Sequence, residues 1–446
     1  MPKIEFPTGF MWGTATAAYQ IEGAANRDGR APSIWDTFSH TPGKVVRGDT
    51  GDIACDHYDR WESDLDLLVD LGVNSYRFSV AWPRVIPLGH GEVNELGLDF
   101  YDRLVDGLVA RGISPIVTLY HWDLPQALQD VGGWADRDTA HHFTDYATTV
   151  TDRLGDRVSH WLTLNEPWVA AFVGNLEGRH APGLQDEATA VKVAHHLLLA
   201  HGEALQALRT QNLPGKLGIT CNLTSPHPAT ESPEDAAAAR RLDLFENRLF
   251  LDPLFTGAYP EDMQVYYEGI SDLDFIQDGD LQKISAPIDF FGINYYERHL
   301  VTADPEDPQR GWKRVEEEDH TIVGIGVHPE GLYEILTRVA RDYTDVPLIV
   351  TETGIALHDY VDPEGLIKDA ERVDFYDGHL RAAHDAIEQG VPLIGFFPWS
   401  FLDNYEWAWG YNYRFGMYYV DYATQNRTPK SSALWYSKVA RTNALD

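Results

Sequence analysis

Eight short runs rich in Val, Ile, Phe and Tyr, each followed by a longer stretch of helical periodicity, predict an α/β fold: a single (β/α)8 TIM barrel over residues 1–446. The runs are nearly continuous in apolar residues, as parallel strands covered on both faces require. Most of them end on polar or aromatic residues, and in such barrels the active site lies at the C-terminal ends of the strands. The chain is long for one domain but falls within the range of a barrel carrying insertions.

Taken in order, the first run, 10–17, leads into Tyr19-Gln20-Ile21-Glu22-Gly23. The second, 75–80, ends at Ala81-Trp82-Pro83, and the third, 115–120, at His121-Trp122. The fourth starts at His160 and stops at Asn165-Glu166, where Pro167 cannot continue a ladder. The fifth, 216–221, ends at Asn222. The sixth, 289–293, ends at Asn294-Tyr295-Tyr296. The seventh, 347–351, ends at Glu352, and the eighth, 393–397, at Pro398-Trp399-Ser400.

Between the runs, 58–71 carries Trp61, Leu65, Leu68 and Val69 on one face at spacings of three and four, which predicts a helix. The stretch 98–110 does the same with Phe100, Tyr101, Leu104 and Leu108, and 329–339 and 373–387 follow suit. The long interval after the fifth run predicts two helices, 233–250 and 260–267. The charged, Gly-rich stretch 303–327 reads as a loop over the barrel mouth.

A net charge of −34 argues against nucleic acid or an anionic membrane as partner, since both need positive patches. Thirteen Trp lean towards a carbohydrate site, because indoles stack on sugar rings as well as filling cores. Cys55 and Cys221 show no metal-ligand spacing and are expected to be free thiols in a reducing compartment. The N-terminal residues contain no apolar signal segment, and no apolar run is long enough to span a bilayer, so a cytoplasmic location is expected.

The residues gathered at the run ends are Gln20, Arg77, His121, Trp122, Asn165, Glu166, Asn294, Tyr296, Glu352 and Trp399. Neutral hydrogen-bonding groups, stacking rings and two carboxylates suit a small glycoside or oligosaccharide. There is no Gly-rich phosphate loop and no Lys cluster, and His121 is the only His at a run end, so neither a metal nor another cofactor is expected. His195 and His196 sit in a helical run and are assigned to packing. Glycoside hydrolysis needs a proton on the leaving oxygen and a negative group behind the anomeric carbon. Sequence spacing leaves open both a retaining separation of about 5–5.5 Å and a wider inverting one. Glu166, between Trp161 and Trp168, is expected to stay protonated by desolvation. Glu352 must stay ionised, with Arg77 and the Tyr296 hydroxyl as donors; a structural ion pair and a core tyrosine are the alternatives for those two.

Several longer motifs resemble family 1 of the glycoside hydrolases, the β-glucosidase family, across nearly the whole chain. They are residues 10–23, Pro32-Ser33-Ile34-Trp35-Asp36, Tyr76-Arg77-Phe78-Ser79, Tyr120-His121-Trp122-Asp123-Leu124-Pro125, Thr163-Leu164-Asn165-Glu166-Pro167, Gly292-Ile293-Asn294-Tyr295-Tyr296, Thr351-Glu352 and 399–407. The resemblance implies retaining double displacement, with Glu166 as acid/base and Glu352 as nucleophile. It implies that Gln20, His121, Asn165, Glu406 and Trp407 bind the non-reducing sugar, that Trp399 forms its stacking floor, and that Tyr296 orients the nucleophile. Trp168 and Asn222 would line the entrance.

A carboxylate at Glu406 repels a 6-phosphate, so the expected substrates are unphosphorylated: terminal β-D-glucosyl units of cello-oligosaccharides or of aryl and alkyl glucosides. Galactosidase or fucosidase specificity is the alternative. A 6-phospho-β-glycosidase or a sugar-binding barrel without catalysis is less favoured. Three positions depart from the family pattern. Thr353 stands where Asn is usual, Glu297 where Thr is common, and Ile325 where many members carry a Trp at the leaving-group side.

Overall fold

The computed structural model describes residues 3–307, 309–316, 321–324 and 326–446. All eight runs become parallel strands: β1 Met11–Trp12, β2 Ser75–Ser79, β3 Ser114–Tyr120, β4 His160–Asn165, β5 Lys216–Asn222, β6 Phe290–Asn294, β7 Leu348–Thr353 and β8 Leu393–Pro398. Hydrogen-bonded neighbours run β1-β8-β7-β6-β5-β4-β3-β2. Parallel bridges from Ala15 to Arg77 and to Trp399 join the two ends of this order and close the barrel.

Side chains alternate between two cores, as the strand period of two dictates. Ile116, Leu162, Phe290, Ile349 and Phe397 fill the barrel interior. Their chain neighbours Val117, Trp161, Phe291, Val350 and Phe396 belong to the layer between sheet and helices. The interior is tight at Gly13, where a Cβ would fall 2.0 Å from the Phe397 ring, so a side chain there has no room.

The same alternation corrects one expectation. Trp161 points into the helix layer, as its neighbour Leu162 points inward, and so it does not wall Glu166.

The helices form where the periodicity placed them, at His57–Leu71, Glu95–Ala110, Pro329–Asp342 and Ala370–Glu388. Phe100, Tyr101, Leu104 and Leu108 are all buried. In His57–Leu71 the buried stripe is Leu65, Leu68 and Leu71, at spacings of three, with Trp61 at its edge. Val69, one residue past Leu68 and therefore turned about 100° from it, is 44% exposed. His195 and His196 lie on the helix Glu187–Thr210. His195 is held by Tyr259 and Asp280, and His196 by the Trp134 carbonyl, as packing residues. Cys55 and Cys221 are free and buried.

Four stretches differ from the sequence reading. The first strand is regular only over Met11–Trp12, because Ala18–Ile21 already turns as a helix. The stretch 233–250 is an α-helix only to Asp243; a π-turn, Leu244–Arg248, follows, then a further helix, Leu249–Thr256. The expected helix at 260–267 shrinks to Met263–Tyr266. The stretch 303–327 is not all loop. Arg298–Ala303 and Trp312–Arg314 pair antiparallel, and Ser225–Pro228 completes a small three-stranded sheet beside the barrel mouth. Asp235 anchors that sheet by accepting from the Ala303 amide at 2.8 Å. Among the described residues no helix is long and apolar enough to cross a membrane.

Candidate active site

Parallel register sets the first row of the site. Asn222 of β5 lies opposite Asn294 of β6, and Asn294 lies opposite Glu352 of β7. Asn165 and Glu166 end β4 next door. Glu166 adopts a left-handed φ of 47°, as do Trp122 at 75° and Trp407 at 50°. Few residues other than Gly take this conformation, and it turns each of these chains abruptly out of its ladder or loop. All three residues line one cavity of about 200 Å³. His121, Trp168, Asn222, Asn294 and Tyr296 line it too, as do Glu352, Trp399 and Glu406.

Beneath this lining sit three buried residues that the sequence also singled out. Arg77 donates from Nη1 to Glu352 Oε1 at 2.5 Å and from Nη2 to Asn165 Oδ1 at 2.5 Å. With its oxygen so fixed, the Asn165 amide must present its nitrogen to His121, and it donates to Nε2 at 3.1 Å. His121 then carries its proton on Nδ1, an atom buried without a partner among the described residues. Burial drives the His121 pKa well below the imidazole range, so the ring is neutral. Gln20 donates from Nε2 to Asn404 Oδ1 and to the Tyr405 carbonyl, each at 2.9 Å, and leaves its Oε1 without a partner. The Trp122 indole donates to the Asn165 carbonyl at 3.0 Å.

The two glutamates differ in what surrounds them. Glu352 accepts from the Arg77 guanidinium and, at Oε2, from the Tyr296 hydroxyl at 2.8 Å. Among the described residues Glu166 accepts only an amide hydrogen, from Asn294 Nδ2 at 2.7 Å. Burial pushes Glu166 up to about 8, and the negative charge of Glu352 adds to that. Burial also raises Glu352, but Arg77, then Tyr296, oppose it. The shared proton therefore rests on Glu166 and the negative charge on Glu352. The Asn294 amide donates to Glu166 and stands opposite Glu352 in the parallel register, so the two glutamates flank it. Glu406 is raised to about 8 as well, by burial and then by Glu352.

Trp168 and Asn222 line the cavity as expected, and Trp168 Nε1 and Asn222 Oδ1 are buried without partners among the described residues. Ile325 lies outside the described residues. Thr353 keeps its place in β7, but its hydroxyl is buried with no partner.

Other residues of the cavity escaped the sequence reading. His180 and His299 reach it from outside the barrel strands, so His121 is not the only histidine there. Both nitrogens of His180 are buried without a partner among the described residues, and its ring packs 5.4 Å from Trp122. Glu246 and Arg314 arrive from the π-turn and the small sheet, elements that carry no strand-end signal. Among the described residues no group of three or more His, Cys, Asp or Glu is arranged to hold a metal.

A neutral carboxylic acid and a carboxylate, set across a sugar-sized cavity floored by indoles, can protonate a leaving oxygen on one side and attack from the other. Comparison with known proteins agrees with that chemistry. Residues 2–445 match the family model described as glycosyl hydrolase family 1. A "Thermostable beta-glucosidase B" of Thermobispora bispora is 51% identical, over 99% of this chain and 92% of the relative. A "Bifunctional beta-D-glucosidase/beta-D-fucosidase" of Bifidobacterium breve is 48% identical over 97% of each. The solved β-glucosidase of Thermotoga maritima in complex with castanospermine superposes with a TM-score of 0.96, at 47% identity over 99% of this chain and 100% of that one.

Proposed function

The chain belongs to glycosyl hydrolase family 1, and from that membership we propose that it is a retaining β-glucosidase acting on terminal, non-reducing β-D-glucosyl units. The observation that carries this reading is the unequal setting of Glu166 and Glu352. Glu166 protonates the glycosidic oxygen as the Glu352 carboxylate attacks the anomeric carbon. The C–O bond to the leaving group breaks, and a covalent glycosyl ester forms on Glu352. Glu166, now ionised, takes a proton from water, which attacks the same carbon and releases the sugar with its configuration retained. Arg77 and Tyr296 keep the nucleophile ionised before attack.

Sugar recognition falls to Gln20, His121, Asn165, Asn294, Glu406 and Trp407, with Trp122 and Trp399 as apolar surfaces. Several of these have spare hydrogen-bonding capacity that hydroxyls satisfy, notably Gln20 Oε1 and His121 Nδ1. A 6-phosphate is disfavoured. Glu166, Glu352 and Glu406 already crowd the cavity with acidic groups. Of the cations that reach it, Arg179 is paired with Glu177 and Arg314 with Glu246. β-Fucoside hydrolysis is a second activity of the same site, on the precedent of the Bifidobacterium breve relative.

The test is Glu352→Gly. It should abolish hydrolysis of an aryl β-glucoside, and added azide should partly restore turnover, giving the inverted α-glucosyl azide. Ordinary activity in this variant without azide would end the assignment.

A further inference from the structure

Beyond the strand ends, one side of the cavity is built from charges. Glu246, on the π-turn, is buried. Its Oε1 accepts from Arg314 Nη2 at 2.8 Å, and its Oε2 from the Thr224 hydroxyl at 2.6 Å. His299 Nε2 stands 3.4 Å from Glu246 and 3.5 Å from Glu297 Oε1. Arg314 Nη1 is 3.9 Å from that same Glu297 oxygen. All four side chains line the cavity that holds Glu166 and Glu352.

Resting on the β-glucosidase reading, we propose that Glu297, Arg314 and Glu246 form a hydroxyl-binding wall that selects a second sugar, not a flat apolar group, as the preferred leaving group. Glu297 explains itself in this setting. The 3.5 and 3.9 Å separations from His299 and Arg314 exceed hydrogen-bond length, so its carboxylate is held near the Arg314 guanidinium by charge while keeping acceptor capacity. The Arg314 side chain is 47% exposed, and a guanidinium has five N–H donors, more than its contact with Glu246 Oε1 uses. Asn222 Oδ1 adds a buried acceptor without a partner among the described residues.

Neighbouring hydroxyls of a pyranose donate to a carboxylate and accept from a guanidinium at once. An apolar aglycone can do neither and would strip water from the charges uncompensated. Trp168, in the same cavity, supplies the apolar surface that the C–H face of a sugar also needs. Threonine at position 297 would keep one hydroxyl and lose the charge that Arg314 and His299 face.

The experiment is kcat/KM on cellobiose and on 4-nitrophenyl β-glucoside for the wild type, Glu297→Thr and Arg314→Met. The ratio of cellobiose to aryl activity should fall about tenfold in each variant, the size of a lost polar contact to one substrate only. Should Arg314→Met fail to fold, Glu297→Thr decides alone. A wild type active on both substrates, with variant ratios unchanged to within about twofold or raised, overturns the wall and leaves the glucosidase reading intact. A wild type inactive on both overturns that reading, and the wall with it.

Discussion

Glu166 and Glu352 are the same residue type in unlike settings, and the division of labour proposed for them rests on their neighbours. A cation and a phenol favour the ionised form of Glu352; burial and the Glu352 charge, opposed by a single amide, leave Glu166 protonated up to about pH 8. As pH rises through about 8, Glu166 loses the proton that the leaving group needs, so kcat/KM falls on the alkaline side. Glu166→Gln should remove that alkaline limb, read on an activated aryl glucoside whose departure needs little proton donation. On cellobiose it should lower kcat/KM by about 100- to 10,000-fold. An alkaline limb that survives in Glu166→Gln would assign the titration to another group. Both glutamates were legible in the sequence as strand-end carboxylates. The aromatic wall was only half legible: Trp168 reaches the cavity, whereas strand alternation turns Trp161 away from it.

Strand β7 shows how a single element can carry both a well-satisfied and an unsatisfied hydroxyl. Thr351 donates to Asn294 Oδ1 at 2.7 Å and pairs with Thr220 at 3.0 Å, fixing the amide that touches Glu166. Thr353, two residues on, is buried with no partner for its hydroxyl. Thr353→Val should therefore leave stability unchanged or raise it by up to about 1 kcal/mol, while Thr351→Val should cost about 1–3 kcal/mol. Denaturant unfolding of the two variants checks this, and equal losses would contradict it. Periodicity read the eight strands and the main helices well, because their burial is one-sided or complete. It read the interval between the fifth and seventh strands poorly. The π-turn at Leu244–Arg248 and the pairing of Trp312–Arg314 with 301–303 depend on partners distant in sequence, such as Asp235 and Thr224.

At the scale of the whole molecule, a buried charge network ties the start of the C-terminal helix to the active-site loop. Lys430, fully buried, donates to Asp403 at 2.6 Å and to Asp359 at 2.5 Å. Asp403 also binds Arg414, and Asp359 binds Arg372. This network joins the C-terminal helix Ser431–Thr442 to the loop after β8 that carries Glu406 and Trp407. Lys430→Met removes one cation from a buried cluster and should cost about 3–5 kcal/mol in denaturant unfolding, since it leaves two carboxylates undercompensated. A loss below about 1 kcal/mol would mean that the remaining arginines suffice. None of these pairings was visible in sequence, where Lys430 and Asp403 are two charges among many.

In the proposed reaction Glu352 attacks the sugar while Glu166 supplies the proton. Incubation with a 2-deoxy-2-fluoro-β-glucoside bearing an activated leaving group, followed by peptide mass spectrometry, tests it most directly. The predicted result is one fluoroglucosyl unit per chain, on the peptide and residue Glu352, with loss of activity in step. A label on Glu166 or elsewhere, or continued turnover with no covalent adduct, would contradict it.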